Sequence, residues 1–294
     1  MLRFLPRIVI GSYPNLTELE PADRPLLEPL FRELREGISE LSFAGIYCFR
    51  ASHAYRIARL ADGIYLIAGA DKGSPFFICP FALPRPDLLG ELFLRFSSMK
   101  LVTESQAGHL RQAGYAVSED RDNFDYLYRR EDLATLRGRA LQKKRNLVHA
   151  FEKTHTYEAY LFSHDKVDDA LAILEAWRGH TRDQADYAPA REALLHASDF
   201  GLHGRLYYVD GRPAGYTLGE EARAGTMFVV HYEKTVPDIK GLYQLISMDF
   251  VRSLPTAITL VNREQDLGDP GLRQAKITYR PCAFVKKYRA RLSP

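Results

Sequence analysis

The sequence contains few cysteines and no long apolar run. Its three cysteines, Cys48, Cys79 and Cys282, are widely spaced and form no CxxC motif, which disfavours both a disulfide framework and a zinc knuckle. The longest strongly apolar run, about residues 64–70, is far below the ~18 residues that a membrane span needs. The N-terminal segment is short and contains Pro6, so we expect no signal peptide. These features predict a cytoplasmic protein with reduced thiols.

Net charge and metal-binding motifs are also sparse. Lys and Arg number 40 against 37 Asp and Glu, and a net charge of +3 is too small for composition alone to imply nucleic acid. The nine histidines show no HExxH or similar spacing, so no metal site is predicted. What remains is an ordinary globular composition in a chain of 294 residues, a length that suits two domains.

The order of predicted elements is similar in the two halves of the chain. The first half indicates an amphipathic helix within residues 23–38, a β-hairpin over 64–81, then a helix and short strands. The second half indicates a strand, helices, a three-strand meander that turns at Asp210-Gly211, a helix and a last strand. We therefore predict an α/β (α+β) fold of two domains, 1–135 and 136–294, each a mixed, mostly antiparallel sheet flanked by helices.

Basic residues are dense between positions 129 and 153, where the character of the sequence changes. Lys143, Lys144 and Arg145 lie together in a segment with a helical apolar stripe. Such a run is either a solvated helix face or a patch that faces the phosphates of RNA, of a nucleotide or of lipid headgroups. We predict that these three residues contact a phosphate-bearing partner.

Polar residues follow two predicted strands in the second half of the chain, and they are the main site candidates. One strand ends near position 232, and the other is predicted over 257–261. Ligands in such sheets bind where strands end and helices begin, so both clusters are expected to face one cleft. The residues are His231 and Glu233 after the first strand, and Asn262, Glu264 and Asp266 after the second.

Three of the candidates have both a catalytic and a structural interpretation. Acyl transfer needs a positioned, deprotonated nucleophile and a stabilised oxyanion. Glu233 is a general base or holds a substrate ammonium, or it forms an ion pair with Lys234 or Lys240. His231 shuttles a proton, or it is a buried and hydrogen-bonded histidine. Tyr279 protonates a leaving group, or it packs in the core.

Two further pairs of residues suit anionic or zwitterionic ligands. Lys240 and Gly241 precede a predicted helix, where backbone N–H groups favour an anion and a glycine permits close approach; the alternative is a plain turn. Arg273 and Lys276 lie about one helical turn apart. They join the carboxylates either in a buried polar network or in a site for a zwitterion. We expect Glu264, Arg273 and Lys276 to line the same pocket as Glu233.

A strand meander followed by a Lys-Gly turn, a helix and another strand resembles the core order of the Gcn5-related N-acetyltransferases. That family has an arginine- and glycine-rich turn whose amides hold the cofactor pyrophosphate. The matching stretch here, residues 236–243, contains one glycine, Gly241, where the family has two or three. The resemblance implies an acetyltransferase-like fold, and the missing glycines weaken the case for ordinary acetyl-CoA binding.

A second resemblance is more specific and covers nearly the whole chain. Its motifs are residues 125–128 (DYLY), 130–133 (REDL), 143–146 (KKRN), 231–234 (HYEK), 240–244 (KGLYQ), 262–264 (NRE), 266–268 (DLG), 271–273 (GLR) and Lys276. With these motifs the chain resembles bacterial proteins grouped with the C-terminal domain of phosphatidylglycerol lysyltransferase. The resemblance implies tandem acetyltransferase-like domains, as in Fem-type peptidoglycan aminoacyltransferases. Gln244, within one of the motifs, joins the substrate-binding candidates.

The function that this resemblance implies is acyl or aminoacyl transfer. Characterised relatives move an aminoacyl group from tRNA to a lipid amine or hydroxyl. The expected donor is therefore aminoacyl-tRNA or an acyl-CoA, with tRNA or a nucleotide as partner and a small molecule or lipid headgroup as acceptor. No transmembrane segment like that of the lipid enzymes is predicted. The alternative is a non-catalytic ligand- or RNA-binding protein that retains the fold.

Acetyl-CoA is expected to bind weakly or not at all, because a single glycine stands where the family has a glycine-rich turn. Isothermal titration calorimetry of the protein with acetyl-CoA should show no low-micromolar binding. A dissociation constant in that range would contradict the expectation.

Overall fold

The structure is a computed structural model that describes residues 10–181 and 184–293. The expectation about a signal peptide concerns the N-terminal segment, most of which, residues 1–9, lies outside the described residues. Among the described helices, none combines the length and the apolar character that crossing a membrane requires.

The described chain contains runs of strands and runs of helices, and the β3–β4 and β9–β10 hairpins have two-residue turns. The strands are β1 (Thr17–Glu18), β2 (Arg56–Arg59), β3 (Tyr65–Asp71), β4 (Ser74–Ile78), β5 (Ser98–Val102), β6 (Ala116–Glu119), β7 (Asp125–Arg129), β8 (Tyr157–Leu161), β9 (His203–Val209), β10 (Arg212–Ala222), β11 (Met227–Thr235), β12 (Leu260–Asn262), β13 (Ala283–Val285) and β14 (Tyr288–Arg291). The α-helices are α1 (Arg24–Arg32), α2 (Phe43–Cys48), α3 (Arg50–His53), α4 (Pro86–Arg95), α5 (Glu104–Gln112), α6 (Arg130–Thr135), α7 (Gln142–Thr154), α8 (Val167–Arg178), α9 (Tyr187–Leu195), α10 (Ala197–Phe200), α11 (Leu242–Ser253) and α12 (Pro270–Ile277).

The chain divides into two compact units. The first contains the chain up to Phe124 and from Val285 onward, and the second contains Asp125–Phe284. These limits differ from the expected boundary between residues 135 and 136. β7 lies in the second unit because it pairs antiparallel with β12, whereas β14 lies in the first because it pairs with β5 and β6. Element order along the chain does not reveal either pairing.

The first unit is built on a seven-stranded sheet of order β1-β2-β3-β4-β5-β14-β6 among the described residues. β4 and β5 are parallel and the other neighbours are antiparallel. Phe77, Met99 and Tyr288, one from each of three adjacent strands, face a core that also contains Leu92 of α4 and Leu110 of α5. One face of this sheet is thus covered by helices.

The second unit has its own seven-stranded sheet, with the order β13-β7-β12-β11-β10-β9-β8 in the described chain. β11 and β12 are parallel, and α11 connects them. Residues of α6, α7 and α11 form the core with the sheet, including Leu133, Phe151, Leu245, Tyr207 and Phe228. The predicted class of two mixed, mostly antiparallel sheets flanked by helices is confirmed.

The turn chemistry of the sequence predicts both tight hairpins. β3 and β4 enclose the first turn, and β9 and β10 enclose Asp210-Gly211. Asp210 and Gly211 have φ values of 49° and 78°, as a type I′ turn requires at both central positions.

The last strand of the parallel pair is shorter than predicted and lies further along the chain. A strand was expected over residues 257–261, but β12 covers only Leu260–Asn262. The preceding residues turn instead, because the Ile258 N–H donates to the Pro255 carbonyl oxygen at 3.0 Å. Asn262 is consequently part of the strand and not the first residue after it.

Gly241→Ala is expected to lower the free energy of unfolding by roughly 2–5 kcal/mol. Gly241 has a φ of 88°, and an added Cβ would lie 2.4 Å from the Leu147 carbonyl oxygen and 3.1 Å from Phe151 Cβ. Left-handed strain therefore adds to overpacking against α7. Urea unfolding followed by circular dichroism measures the loss.

Gly211→Ala is the matched control for this variant. Gly211 also has a positive φ, 78°, but an added Cβ would meet no heavy atom within 4 Å. Its expected loss is the conformational cost alone, about 1–2 kcal/mol. Equal losses for the two variants would show that close packing against α7 does not require Gly241.

Candidate active site

The candidate site lies where β11 extends beyond the end of β12. The parallel pairing runs only from Met227 opposite Leu260 to Val229 opposite Asn262. Beyond that point β11 continues to Thr235. Among the described pairings, this part of β11 is paired with β10 on one edge, and its other edge is unpaired. The segment after β12, and then α12, supply the side chains that meet this free edge.

A buried ion pair joins the two strand ends. Arg263 Nη2 lies 2.8 Å from Glu233 Oε1, and their side chains are 19% and 9% exposed. Burial raises the pKa of Glu233, and the charge of Arg263 opposes that rise. The partner of Glu233 is therefore Arg263, and not Lys234 or Lys240. Lys234 pairs instead with Asp186 at 3.0 Å.

The ring of Tyr279 lies at the centre of this group. The guanidinium of Arg263 is 5.0 Å and the ammonium of Lys144 is 4.4 Å from the ring centroid. The side chains of Arg263 and Gln244 lie near the Tyr279 hydroxyl. Burial raises the pKa of Tyr279, although the Arg263 charge opposes this, so the phenol keeps its proton at neutral pH. The Tyr279 oxygen thus lies beside the N–H donors of Arg263 and Gln244 and retains its own proton.

Lys276 of α12 reaches the same segment from the other side. Its ammonium donates to the backbone carbonyl oxygens of Arg263 and Glu264. Burial and the nearby charge of Arg263 lower the pKa of Lys276 to about 8. The Tyr128 hydroxyl donates to the Lys276 carbonyl at 2.8 Å and so holds the last turn of α12 in place.

Two cations, Lys144 and Arg263, lie over the Tyr279 ring. Glu233 opposes the charge of Arg263, whereas Lys276 lies near Arg263 and also near the carboxylates of Glu264, Asp125 and Asp266. Burial and repulsion from Arg263 also lower the pKa of Lys144. Lys144 has no ion-pair partner within residues 10–181 and 184–293, so an anionic group of a ligand, such as a phosphate or carboxylate, would compensate its charge.

His231 is held between two carboxylates. Its Nδ1 lies 2.8 Å from Glu264 Oε1 and its Nε2 lies 2.9 Å from Glu220 Oε1. Burial alone would lower the pKa of His231, but the hydrogen bonds to Glu220 and Glu264 raise it to about 10. The imidazole is therefore a buried cation at neutral pH with both nitrogens engaged, and it has no role in the proton transfers proposed below.

Asp266 and Arg273 form a separate ion pair. Arg273 Nε and Nη2 donate to Asp266 Oδ2 and Oδ1 at 2.9 and 2.8 Å, a bidentate geometry. The Tyr126 hydroxyl and the Gly268 N–H also donate to this carboxylate. Burial would raise the pKa of Asp266, but the bonds from Arg273 and Tyr126 lower it well below its usual range. Arg273 thus fixes α12 to the preceding loop and does not contact Glu233.

Asn262 sets the shape of the loop that follows β12. Its side-chain amide donates to Asp125 at 3.1 Å, and its side-chain oxygen accepts the Glu264 N–H at 2.7 Å. Glu264 has a φ of 57°, a left-handed conformation that a non-glycine residue adopts only under constraint. Asn262 therefore positions Glu264 and is itself fully buried.

Lys240 and Gly241 lie immediately before α11, as predicted. Lys240 is exposed, whereas Gly241 is buried with its Cα against the backbone of α7. The conformational freedom of this glycine thus serves helix packing. The turn offers no second glycine for the close approach of a pyrophosphate.

The side chains of the three basic residues of α7 have different environments. Lys143 is exposed, and Lys144 lies over the Tyr279 ring. Arg145 donates to the backbone carbonyl oxygen of Leu136, the residue that ends α6. The structure therefore places one of the three, Lys144, beside Arg263 in the candidate site.

Three residues that organise the site were not among the predicted site residues. Arg263 was noted only within the NRE motif, although it contacts both Glu233 and Tyr279. Tyr128 was likewise noted only within the DYLY motif, on β7, and Glu220 lies on β10. Their polar groups within apolar strands were a signal, since a buried carboxylate or phenol needs a partner.

The stability conferred by His231 should fall as the pH rises. Its pKa is raised from an ordinary value near 6.5 to about 10 in the folded protein, so the stabilisation is complete below pH 6.5 and is lost through pH 10. The difference in unfolding free energy between the wild type and His231→Gln should shrink by on the order of 4 kcal/mol from pH 6 to pH 10.

Urea unfolding of both proteins at several pH values measures this difference. His203→Gln, which removes an exposed imidazole from β9, is the control. A wild-type advantage over His231→Gln that stays constant with pH would contradict a charged, doubly bonded His231.

Comparison with known proteins was made by sequence and by structure. A family model described as "Phosphatidylglycerol lysyltransferase, C-terminal" matches residues 31–291. An uncharacterised protein of Mycoplasmoides gallisepticum is 28% identical over 185 residues, 58% of this chain and 56% of that protein. The match thus spans about half the length of this curated relative.

Three solved structures have similar folds over most of the chain. A conserved protein of unknown function from Bacteroides thetaiotaomicron has a TM-score of 0.85 at 25% identity, over 95% of this chain and 99% of that one. The C-terminal domain of a putative lysylphosphatidylglycerol synthetase from Agrobacterium fabrum has a TM-score of 0.64 at 13% identity, over 93% and 92%. A tandem Gcn5-related N-acetyltransferase protein from the clavulanic acid pathway has a TM-score of 0.51 at 10% identity, over 95% and 99%. The chain belongs to the family of the phosphatidylglycerol lysyltransferase C-terminal domain and has its tandem acetyltransferase-like fold.

Proposed function

We propose that the second unit transfers an acyl or aminoacyl group from a phosphate-bearing donor, with aminoacyl-tRNA as the donor. The observation that supports this most is the position of two cations, Lys144 and Arg263, over the Tyr279 ring. A cationic group of this kind binds the phosphates of a donor, and Lys144, Arg263 and Lys276 are the residues that would make these contacts.

The surroundings of Gly241 favour tRNA over an acyl-CoA. In the acetyltransferases a glycine-rich turn approaches the cofactor pyrophosphate. Here the turn has one glycine, and the space beside its Cα is filled by Leu147 and Phe151 of α7. The name of the family, a lysyltransferase, agrees with an aminoacyl donor. Lys240, exposed at the start of α11, is a further candidate contact for donor phosphates.

The chemistry requires a proton acceptor, a proton donor and stabilisation of an oxyanion. An acceptor hydroxyl or amine attacks the acyl carbon of the donor ester, and the bond to the ribose oxygen breaks. In the proposal Glu233, whose pKa burial raises against the opposing charge of Arg263, receives the acceptor proton, and the Tyr279 hydroxyl donates a proton to the leaving oxygen. Arg263 and Lys144 stabilise the negative charge that develops on the acyl oxygen.

The other predicted residues hold this arrangement in place. His231 with Glu264 ties β11 to the loop after β12, and Asp266 with Arg273 fixes α12, from which Lys276 extends. The Gln244 side chain lies near the Tyr279 hydroxyl. In the proposal these are positioning residues, because they act through Arg263, Lys276 and Tyr279.

Lys144→Gln should weaken tRNA binding about tenfold and lower the dependence of log Kd on log salt concentration by about one. The reason is that Lys144 lies beside Arg263, where its charge has no carboxylate of its own. Lys143→Gln is the matched control, since it removes the same charge one residue earlier from an exposed position. Fluorescence anisotropy with labelled tRNA at several salt concentrations measures both variants.

Transfer is tested with charged lysyl-tRNA and phosphatidylglycerol vesicles in single-turnover reactions. The expected result is loss of the tRNA ester with the label recovered on the acceptor, slowed by Lys144→Gln and unchanged by Lys143→Gln. Equal effects of the two variants would show that Lys144 has no specific role in the site. tRNA binding without transfer to lipid or to small amines would support a non-catalytic RNA-binding protein instead.

A further inference from the structure

A second polar cleft lies on the first unit. It encloses about 340 Å³ and is formed by the β3–β4 turn, the beginning of β5 and the end of β14, which are adjacent in the sheet. It therefore belongs to a different unit from the candidate active site. Its lining residues are Asp71, Lys72, Ser74, Phe76, Ser97, Ser98, Arg289 and Arg291.

Strand alternation explains why polar side chains collect here. Met99 of β5 and Tyr288 and Ala290 of β14 point into the core of the first unit. Their neighbours along the strands, Ser98 and Arg289, consequently point to the opposite face of the sheet. The cleft lies on that face.

Two of the cleft's cations are not neutralised. Asp71 pairs with Lys100 at 3.1 Å, and Arg289 pairs with Asp120 at 3.0 Å. Lys72 and Arg291 have no ion-pair partner within residues 10–181 and 184–293. The charges of Asp71 and Arg289 are compensated within these pairs. Lys72 and Arg291 therefore give the cleft two uncompensated positive charges.

Three hydroxyl groups add donors beside these cations. Ser74, Ser97 and Ser98 line the cleft, and within the described part of the chain no side-chain hydrogen bond occupies their hydroxyls. A hydroxyl can donate one hydrogen bond, and a guanidinium presents a planar fork that suits phosphate oxygens. The cleft thus combines two cations with three hydroxyl donors.

We propose that this cleft binds a small soluble molecule through a phosphate monoester. Such a group has a charge between about −1.5 and −2 at neutral pH and three strong acceptor oxygens, which match the two cations and three hydroxyls. The volume falls within the roughly 300–1,000 Å³ of small-molecule sites. This site is independent of the transferase function proposed for the second unit.

Nuclear magnetic resonance of the full-length, deuterated and ¹⁵N-labelled protein tests the proposal site by site. Titration with glycerol 3-phosphate should shift the backbone amides of Ser74, Ser97 and Ser98 saturably, whereas glycerol should not. The double variant Lys72→Gln/Arg291→Gln should weaken this binding at least tenfold while its melting temperature stays near that of the wild type.

Arg139→Gln/Arg212→Gln is the matched control, since it removes two exposed positive charges from the second unit. Unchanged amide shifts on titration, or equal weakening by both double variants, would overturn the proposal. In a second experiment the protein is titrated with vesicles of phosphatidylglycerol, and vesicles of phosphatidylcholine are the control. Response of the same amides to phosphatidylglycerol vesicles alone would identify a lipid headgroup and also overturn a soluble ligand.

Discussion

The shortness of β12 determines where the polar residues of the second unit lie. This strand reaches only as far as Val229 of its parallel neighbour, so the edge of β11 beyond that point is open. Arg263 and Glu264 occupy the space that a longer strand would fill, and their side chains meet Glu233 and His231. Had the strand continued, successive side chains would point to opposite faces of the sheet, and the two contacts could not form on one face.

Charge balance separates the structural groups from the candidate functional group. Burying a charge costs free energy unless a partner compensates it, so balanced buried pairs hold the chain together without implying a ligand. Asp266 with Arg273 is a balanced pair, and the charge of His231 is compensated by two glutamates. The group around Tyr279 is different, since repulsion from Arg263 contributes to the lowered pKa of both Lys144 and Lys276. Groups with perturbed pKa values cluster at functional sites, so this group is the better site candidate.

The fold class could be predicted from the sequence, because hairpin turns and alternating strands depend on residues that are close together in the chain. Asp210-Gly211 is an example, since its turn needs only two positive φ angles. Partners far apart in sequence were not predictable in this way. Glu233 had plausible ion-pair partners next to it in Lys234 and Lys240, yet the structure pairs it with Arg263, thirty residues on. The same limit explains the domain boundary, because β14 pairs with strands more than 160 residues earlier in the chain.

The two units share one topology but differ in the position of their charged residues. These residues follow the parallel strands in the second unit and lie at the beginning of the parallel strands in the first. In each, two parallel strands are joined by a helix, α4 in the first and α11 in the second. In the second unit the charges lie after the strands. In the first, the corresponding positions hold Cys79 and Phe81 after β4 and the capping residue Thr103 after β5, and Gln106 bonds to the Cys79 carbonyl at 2.9 Å. The charged cleft of the first unit lies instead where β4 and β5 begin. Because a shared topology leaves the residues at each strand end free to differ, repetition of the fold does not imply repetition of the site, and each unit has to be interpreted from its own side chains.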